Sequence, residues 1–446
     1  MKTLLLPLLS FSLLINPATF AATNTTATNT VTVGTVVNQA LRHSPSLKMK
    51  EEEVRTATAH RVQANAEGSL RVDARAQGLH FEGLENRPLG PGVTLPVIDD
   101  QYSAAIDATQ PLFTGGRITA RRRGARLDEA AARATEIATA ADTILNTVNA
   151  YWQWSKAFYL AESLEDAVRR TGAQSLDVQR KQSAGLALDS DLLAAEVLLD
   201  RTRLQLADAR HQTDTARITL GRRIGASLPP EASPSKPITP ATPLIPLDDA
   251  LALARTNRQE LVALEREATA IEARVRAEQA GSSPQISLVA RYEQGNPNTR
   301  DFPPTDEWKD DAFIGATASW SLFDGGLTRA RTSEMRSRAR LARLRLQDAQ
   351  EGVQAQVEET LLSLRHSLSR VDTALHAEAS ARRNLKVTTD LWTNGLARHS
   401  ELLDAQAKLT DATYQRITSE ADAVLADTLH QYALGLLTQE TFNAHH

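Results

Sequence analysis

Pro111-Leu112-Phe113-Thr114-Gly115-Gly116 returns later in the chain as Ser321-Leu322-Phe323-Asp324-Gly325-Gly326, 210 positions on. Gly185-Leu186-Ala187-Leu188-Asp189-Ser190-Asp191-Leu192-Leu193-Ala194-Ala195 returns as Gly395-Leu396-Ala397-Arg398-His399-Ser400-Glu401-Leu402-Leu403-Asp404-Ala405 at the same spacing. Arg223-Ile224-Gly225 against Ala433-Leu434-Gly435 repeats it a third time. One Gly-Gly match is ordinary turn chemistry. An offset held constant over more than a hundred residues marks an internal duplication. The chain therefore reads as two equivalent halves, residues 30–225 and 248–437, followed by a short tail, 438–446.

Each half carries the same order of patterns. A helical segment comes first, Thr35–Asn65 in one half and Leu247–Ala280 in the other. Two alternating runs follow. Leu70, Val72, Ala74 and Ala76 alternate with Arg71, Asp73, Arg75 and Gln77, and Tyr102, Ala104, Ile106 and Ala108 repeat the pattern. In the second half Ile286, Leu288, Ala290 and Tyr292 alternate with polar residues except at Val289, and Ile314, Ala316, Ala318, Trp320 and Leu322 do the same. Period two means strands with one apolar face, expected at about 69–80, 102–113, 285–294 and 312–323. Runs of about ten residues match what a membrane-crossing β-strand needs. After each Gly-Gly the pattern turns helical: no proline occurs from Gly116 to Ser183 or from Gly326 to Trp392. At ~1.5 Å per residue, one straight rod of that length reaches roughly 100 Å. A further helix is expected in each half, over Ser190–Arg223 and Ser400–Leu437. Pro229, Pro230, Pro234, Pro237, Pro240, Pro243 and Pro246 cannot sit in a helix interior, so residues 226–247 read as a stiff, extended linker between the halves.

The bulk composition agrees with long helices packed through small residues: aromatics are only 4%. Lys2, the apolar run Leu4–Ile15 and the small residues Ala18, Ala21 and Ala22 read as a secretory signal over residues 1–22. No later stretch approaches twenty apolar residues, which excludes a helical membrane anchor. The absence of cysteine excludes disulfides, thiolate metal sites, a cysteine nucleophile and lipidation on cysteine. The net charge of −4 gives no sign of a nucleic-acid partner. Histidines are scattered without metal-ligand spacing, and Gly115-Gly116 lacks the Lys-Ser/Thr of a phosphate loop. No catalytic constellation, metal site or cofactor site is expected. Tyr151, Trp154 and Phe158 are spaced as helix core. Arg121, Arg122, Arg123, Arg329 and Arg331 follow the two strand pairs and read as a solvated charge run, or as contacts to lipid headgroups.

Four strands cannot close a barrel in lipid, because open edges leave backbone groups unpaired at several kcal/mol each. Other copies must complete the wall if the strands span a membrane. Leu112-Phe113-x-Gly115-Gly116, Gly185-Leu186…Ser190-Asp191-Leu192 and Asn394-Gly395-Leu396…Ser400-Glu401-Leu402-Leu403-Asp404-Ala405-Gln406 resemble the TolC-like outer-membrane efflux and secretion channels, over residues 33–437. The resemblance implies a homotrimer in the outer membrane, with a twelve-stranded β-barrel continuing into a long periplasmic α-helical barrel. It also implies a periplasmic adaptor and an inner-membrane transporter, ABC or proton-driven, as partners. Gly185, Leu186, Gly395 and Leu396 would then form the adaptor-docking tip, and Ser190, Asp191, Glu401 and Asp404 the gate. Ser190 and Ser400 also stand where an N-cap would start the next helix. Glu401 and Asp404 lie three apart on one helix face, while their counterparts are Asp191 and Ala194, so only the second half carries both acids. The family closes its tip by polar contacts between inner and outer helix pairs. Here the donor side departs from that pattern, with Trp392 in place of a tyrosine and Arg398 displaced by one residue. A periplasmic adaptor with a long helical hairpin is the alternative reading; two hairpins, each starting from a strand pair, argue against it.

Overall fold

A computed structural model describes residues 30–438 apart from 84, 86, 92, 96, 237–243, 299, 303 and 304. The expected signal sequence and almost all of the C-terminal tail lie outside the described residues. The first half runs β1 (Thr30–Val31), α1 (Val33–His43), α2 (Pro45–Ala66), β2 (Arg71–His80), a short hairpin of β3 (Arg87–Gly90) and β4 (Val93–Leu95), β5 (Asp100–Phe113), α3 (Arg117–Ser183) and α4 (Asp189–Ile224). After β6 (Ser233–Pro234) come α5 (Leu247–Asn257), α6 (Gln259–Gln279), β7 (Gln285–Asn296), β8 (Lys309–Ser319), α7 (Leu327–Thr393) and α8 (His399–Ala433). Matching elements are 214 positions apart before the strands (Val33 and Leu247, Pro45 and Gln259) and 210 after them (Arg117 and Leu327, Asp189 and His399). The first half is thus four residues longer within its strand–loop–strand unit.

The strands form one antiparallel sheet in the order β2-β5-β7-β8. The rung Ala74–Ile106–Tyr292–Ala312 lies on one face, and the next rung, Asp73–Asp107–Arg291–Phe313, on the other. The first face is apolar, and Val72, Ile106, Tyr292 and Ile314 are exposed on it. On the other, Asp107 accepts from Arg291 at 2.6 Å and lies 3.3 Å from Arg75, while Arg291 lies 3.6 Å from Glu293. The expected strand over 312–323 is shorter at its end: β8 stops at Ser319, and Leu322 and Phe323 are 80% and 90% exposed. The reason is pairing. Gln110, Pro111 and Phe113, the equivalent end of β5, are held by β7. Trp320–Phe323 have no strand on the matching side among the described residues.

Gly116 and Gly326 enter the long helices in left-handed conformations, φ +85° and +88°, which favour glycine. α3 and α7 each run 67 residues without a break. The upper part of α3 packs on α2 and α6, its lower part on α4 and α8. Charged pins hold the upper layer: Glu129 accepts from Thr58 at 3.2 Å and Arg133 at 2.9 Å and pairs with Arg61, and Arg274 reaches Asp128 at 2.5 Å. Arg121 pairs with Glu67 at 3.0 Å and Arg122 donates to the Asn65 carbonyl at 2.7 Å, so these two arginines brace α2 from within the chain.

Two cores sit midway along the long helices. The first combines Val36 and Val37 of α1 with Ile144, Tyr151 and Trp154 of α3 and Leu220 and Ile224 of α4. Tyr151 and Trp154 are core residues, as their spacing predicts, while Phe158 is half-buried and stands outside this core. The second joins Ala250 and Ala254 of α5 to Leu346, Val353 and Val357 of α7 and Ala433 of α8. The first part of the proline-rich segment, residues 226–236, packs on the helices and is not a free linker. Leu228, Ala232 and Pro234 are buried, and β6 pairs in parallel with β1. Tyr151 Oη donates to the Val31 carbonyl at 2.8 Å and accepts from the Ser235 N–H at 2.8 Å. Proline lacks a donor but keeps its acceptor: Tyr159 Oη donates to the Pro234 carbonyl at 2.7 Å. Residues 228–235 thus form a collar on α3, while Pro237, Pro240 and Pro243 of the expected linker lie outside the described residues.

Candidate functional site

The two hairpin turns, α3–α4 and α7–α8, share one geometry. Gly185 and Gly395 take φ +76° and +74°. The Leu186 N–H bonds the Lys181 carbonyl at 2.8 Å and the Gly185 N–H the Gln182 carbonyl at 2.9 Å; Leu396 to Leu391 and Gly395 to Trp392 repeat this at 2.8 and 3.0 Å. Both are Schellman stops, in which a left-handed glycine lets the last carbonyls of the helix find donors. A Cβ on either glycine would meet open space, so backbone conformation alone explains the residue type. Beyond the glycines Leu186 and Leu396 are 78% and 75% exposed, an apolar tip on each turn.

The second helices start two residues earlier than a serine cap requires. α4 begins at Asp189 and α8 at His399, so Ser190 and Ser400 are the second helical residues and not N-caps. Leu188 and Arg398 hold the extended N-cap conformation. In the first hairpin the Asp191 carboxylate does the capping work, accepting from the Leu188 N–H at 3.3 Å. Ser190 is exposed beside it. Glu401 and Asp404 are exposed on one face of α8, and Asp404 pairs with Lys408 at 2.7 Å.

A contact that the sequence did not suggest joins the two hairpins just above the turns. Lys181 Nζ, near the end of α3, sits 3.4 Å from the Trp392 ring centroid at the end of α7. His399, the first residue of α8, lies against the same indole, ring centroids 5.9 Å apart. It is 8% exposed, and neither ring nitrogen has a hydrogen-bond partner among the described residues. Burial holds the imidazole below its ordinary protonation range; Asp191 and Asp177 oppose that shift and Lys181 reinforces it. Aligning the halves supplies the missed signal, because His399 replaces Asp189 and Trp392 replaces Gln182.

Higher in the second hairpin, Glu378 accepts from Arg416 at 2.6 Å, Arg382 at 3.0 Å and Thr413 at 3.1 Å. Burial pushes its carboxyl up, and the two guanidiniums and the hydroxyl outweigh that and hold it below the usual range. An open groove of about 660 Å³ between the hairpins is lined by Leu164, Leu198, Arg201, Asp411 and Tyr414 among others. Among the described residues no cluster of metal-ligating side chains occurs, and no helix is long and apolar enough to cross a membrane.

The profile of the family described as "Outer membrane efflux protein" matches residues 36–226 and 250–428. The chain is 22% identical to the outer membrane protein TolC of Salmonella enteritidis over 352 residues, 76% of this chain and 70% of that protein. Its fold matches the outer membrane protein VceC of Vibrio cholerae with a TM-score of 0.77 at 19% identity, covering 90% of this chain and 96% of the other. It matches the CmeC outer membrane channel of Campylobacter jejuni with a TM-score of 0.78 at 16% identity, covering 91% and 86%.

Proposed function

Because the chain belongs to the outer membrane efflux protein family, an outer-membrane location follows, and we propose that three copies assemble into one passive exit duct. The observation that carries this reading is the four-stranded sheet: an apolar face, a charged face and two free edges, β2 and β8, among the described residues. Lipid tolerates no free strand edge, so further copies close a twelve-stranded wall, with the charged face inward. The long hairpins extend the duct into the periplasm. A periplasmic adaptor docks at Gly185, Leu186, Gly395 and Leu396, where exposed leucines cap rigid turns. An inner-membrane transporter supplies energy, in a tripartite efflux pump or a type I secretion system. Ser190, Asp191, Glu401 and Asp404 line the gate at the tip, where three copies bring six carboxylates from Glu401 and Asp404 around one opening and favour cations.

The duplication gives this assembly a register. Inside the chain the halves meet along β5 and β7, with Ile106 opposite Tyr292. The two hairpins β2–β5 and β7–β8 keep the same register under the offsets of 214 and 210. The same seam between copies joins β8 to the next β2 and sets Ala318 opposite Ala76. It also supplies the missing partner for Trp320–Phe323. The chain has no cysteine, so the test is direct: Ala318→Cys with Ala76→Cys should give covalent trimers in outer-membrane fractions. Ile314→Cys with Ala76→Cys, four residues out of register, should not. Monomers in both, from soluble or inner-membrane fractions, would sink the duct.

A further inference from the structure

We propose that Lys181, Trp392 and His399 form a latch between the two hairpins of one protomer, and that protonation of His399 releases it. The inference rests on the tip being the gate, and it assigns that gate a closing contact and a trigger. Three features make a charged ring unwelcome at this position. The side chain is more than nine-tenths buried, with no acceptor on either nitrogen among the described residues. It stands at the first residue of α8, where the helix end carries partial positive charge. The Lys181 ammonium sits 3.4 Å from the centroid of the same indole that His399 lies against, which places a cation close to the ring.

The groups facing the ring from the other elements are Asp177 and Lys181 of α3, Asp191 of α4 and Trp392 of α7. Both carboxylates are already engaged, Asp177 with Lys181 at 3.3 Å and Asp191 with the Leu188 N–H at 3.3 Å. Protonation therefore adds a cation whose nearest counter-charges are shared with other partners. The first hairpin shows the contrast: its equivalent residue, Asp189, accepts from Gln182 Nε2 at 2.9 Å in an exposed position, and its charge suits a helix start.

The sign of the pH effect follows from linkage. The docked ring binds its proton less tightly than a free one, so the released state holds more protons and docking strengthens as pH rises. The latch is at full strength above the ordinary histidine value of 6.5 and weakens as pH falls below it. Between pH 7.5 and 5.5 the latching equilibrium of each protomer shifts by up to about tenfold.

The test uses assembled trimers with two readouts. Spin labels at Ala184→Cys and Asn394→Cys, one on each hairpin turn, report separation, and planar-bilayer recordings report conductance. Acidification to pH 5.5 should lengthen the distance and raise open probability in the parent. His399→Leu should abolish both responses and stay latched, and His399→Gln, also neutral, guards against a folding defect in the leucine variant. Trp392→Ala should be unlatched at either pH. A distance that ignores pH in the parent, or a parent-like response in both histidine variants, overturns the latch. A distance that responds while conductance does not supports the latch and overturns the tip as the gate.

Discussion

Set side by side, the hairpins α3/α4 and α7/α8 share their backbone almost residue for residue and bury different chemistry. Both long helices have 67 residues, both start on a left-handed glycine, and both stop on another. Yet the Glu378–Arg416 ion pair of the second hairpin is Val168 and Leu206 in the first. The first core stacks Tyr151 edge-on against Trp152 and Trp154, while the second is wholly aliphatic. Thr135, Thr139, Thr143 and Thr147 each donate to the carbonyl four residues back along α3; α7 has Arg345, Ala349, Val353 and Val357 there. The residues kept in both halves are those that set direction: glycines at the turns and small or leucine contacts beside them. The residues that diverged determine what each hairpin touches. Duplication thus conserves the track of the chain and leaves its chemistry free, so one protomer can present two kinds of hairpin to a duct.

The largest effect should come from breaking the buried pair. Glu378→Ala takes one of two carboxylates from Arg416, which keeps Glu420 at 2.7 Å, and should destabilise the second hairpin by about 1–2 kcal/mol, discounted because Arg416 keeps some solvent. Importing the first half's solution, Glu378→Val with Arg416→Leu, should recover part of that loss, since Glu420 then gives up its contact with Arg416. Thermal unfolding of purified trimers reads both, and a double variant worse than the single one would show that the halves are not interchangeable here. Next come the turns. Gly185→Ala and Gly395→Ala should each cost about 1 kcal/mol, from the left-handed backbone alone, and asparagine should cost less at either site. Unequal losses in denaturant titrations would mean that one turn has an unseen contact. Smallest is the charge difference at the tip. Glu401→Gln should reduce cation preference in reversal-potential recordings more than Asp404→Asn, because Lys408 already offsets Asp404. Asp191→Asn should change selectivity least of the three, since that carboxylate is turned to the Leu188 N–H at the start of α4.

Much of this was legible in the residues because the deciding signals are local. Alternation along Val72–Ala76, a proline-free run to Ser183 and paired glycines each constrain the backbone without reference to the rest of the chain. What escaped depends on distant partners. Composition reads Pro229–Pro234 as linker, and only Tyr151 and Tyr159, far away in sequence, turn it into a collar. Trp320–Leu322 alternate as a strand should, but a strand needs a neighbour to bond. Ser190 has the right side chain for a cap and the wrong backbone, since the helix begins at Asp189. The residues proposed for docking and gating all belong to the two hairpin turns and the helix starts just after them. His399 reads in the sequence as one more scattered histidine, and only the packing of the hairpins brings Lys181, Asp177 and Asp191 of the first half to it.

The change in spacing from 214 to 210 has a consequence for engineering. Because the β2–β5 and β7–β8 registers agree, the surplus of the first half is absorbed in the 81–99 connection, beyond the last paired rung, His80 with Asp100. Chain length there is decoupled from the seams, the helix lengths and the tips alike. That connection is the place to graft a foreign epitope, and an antibody against it would report from outside an intact cell that the other end of the protein has been threaded inward.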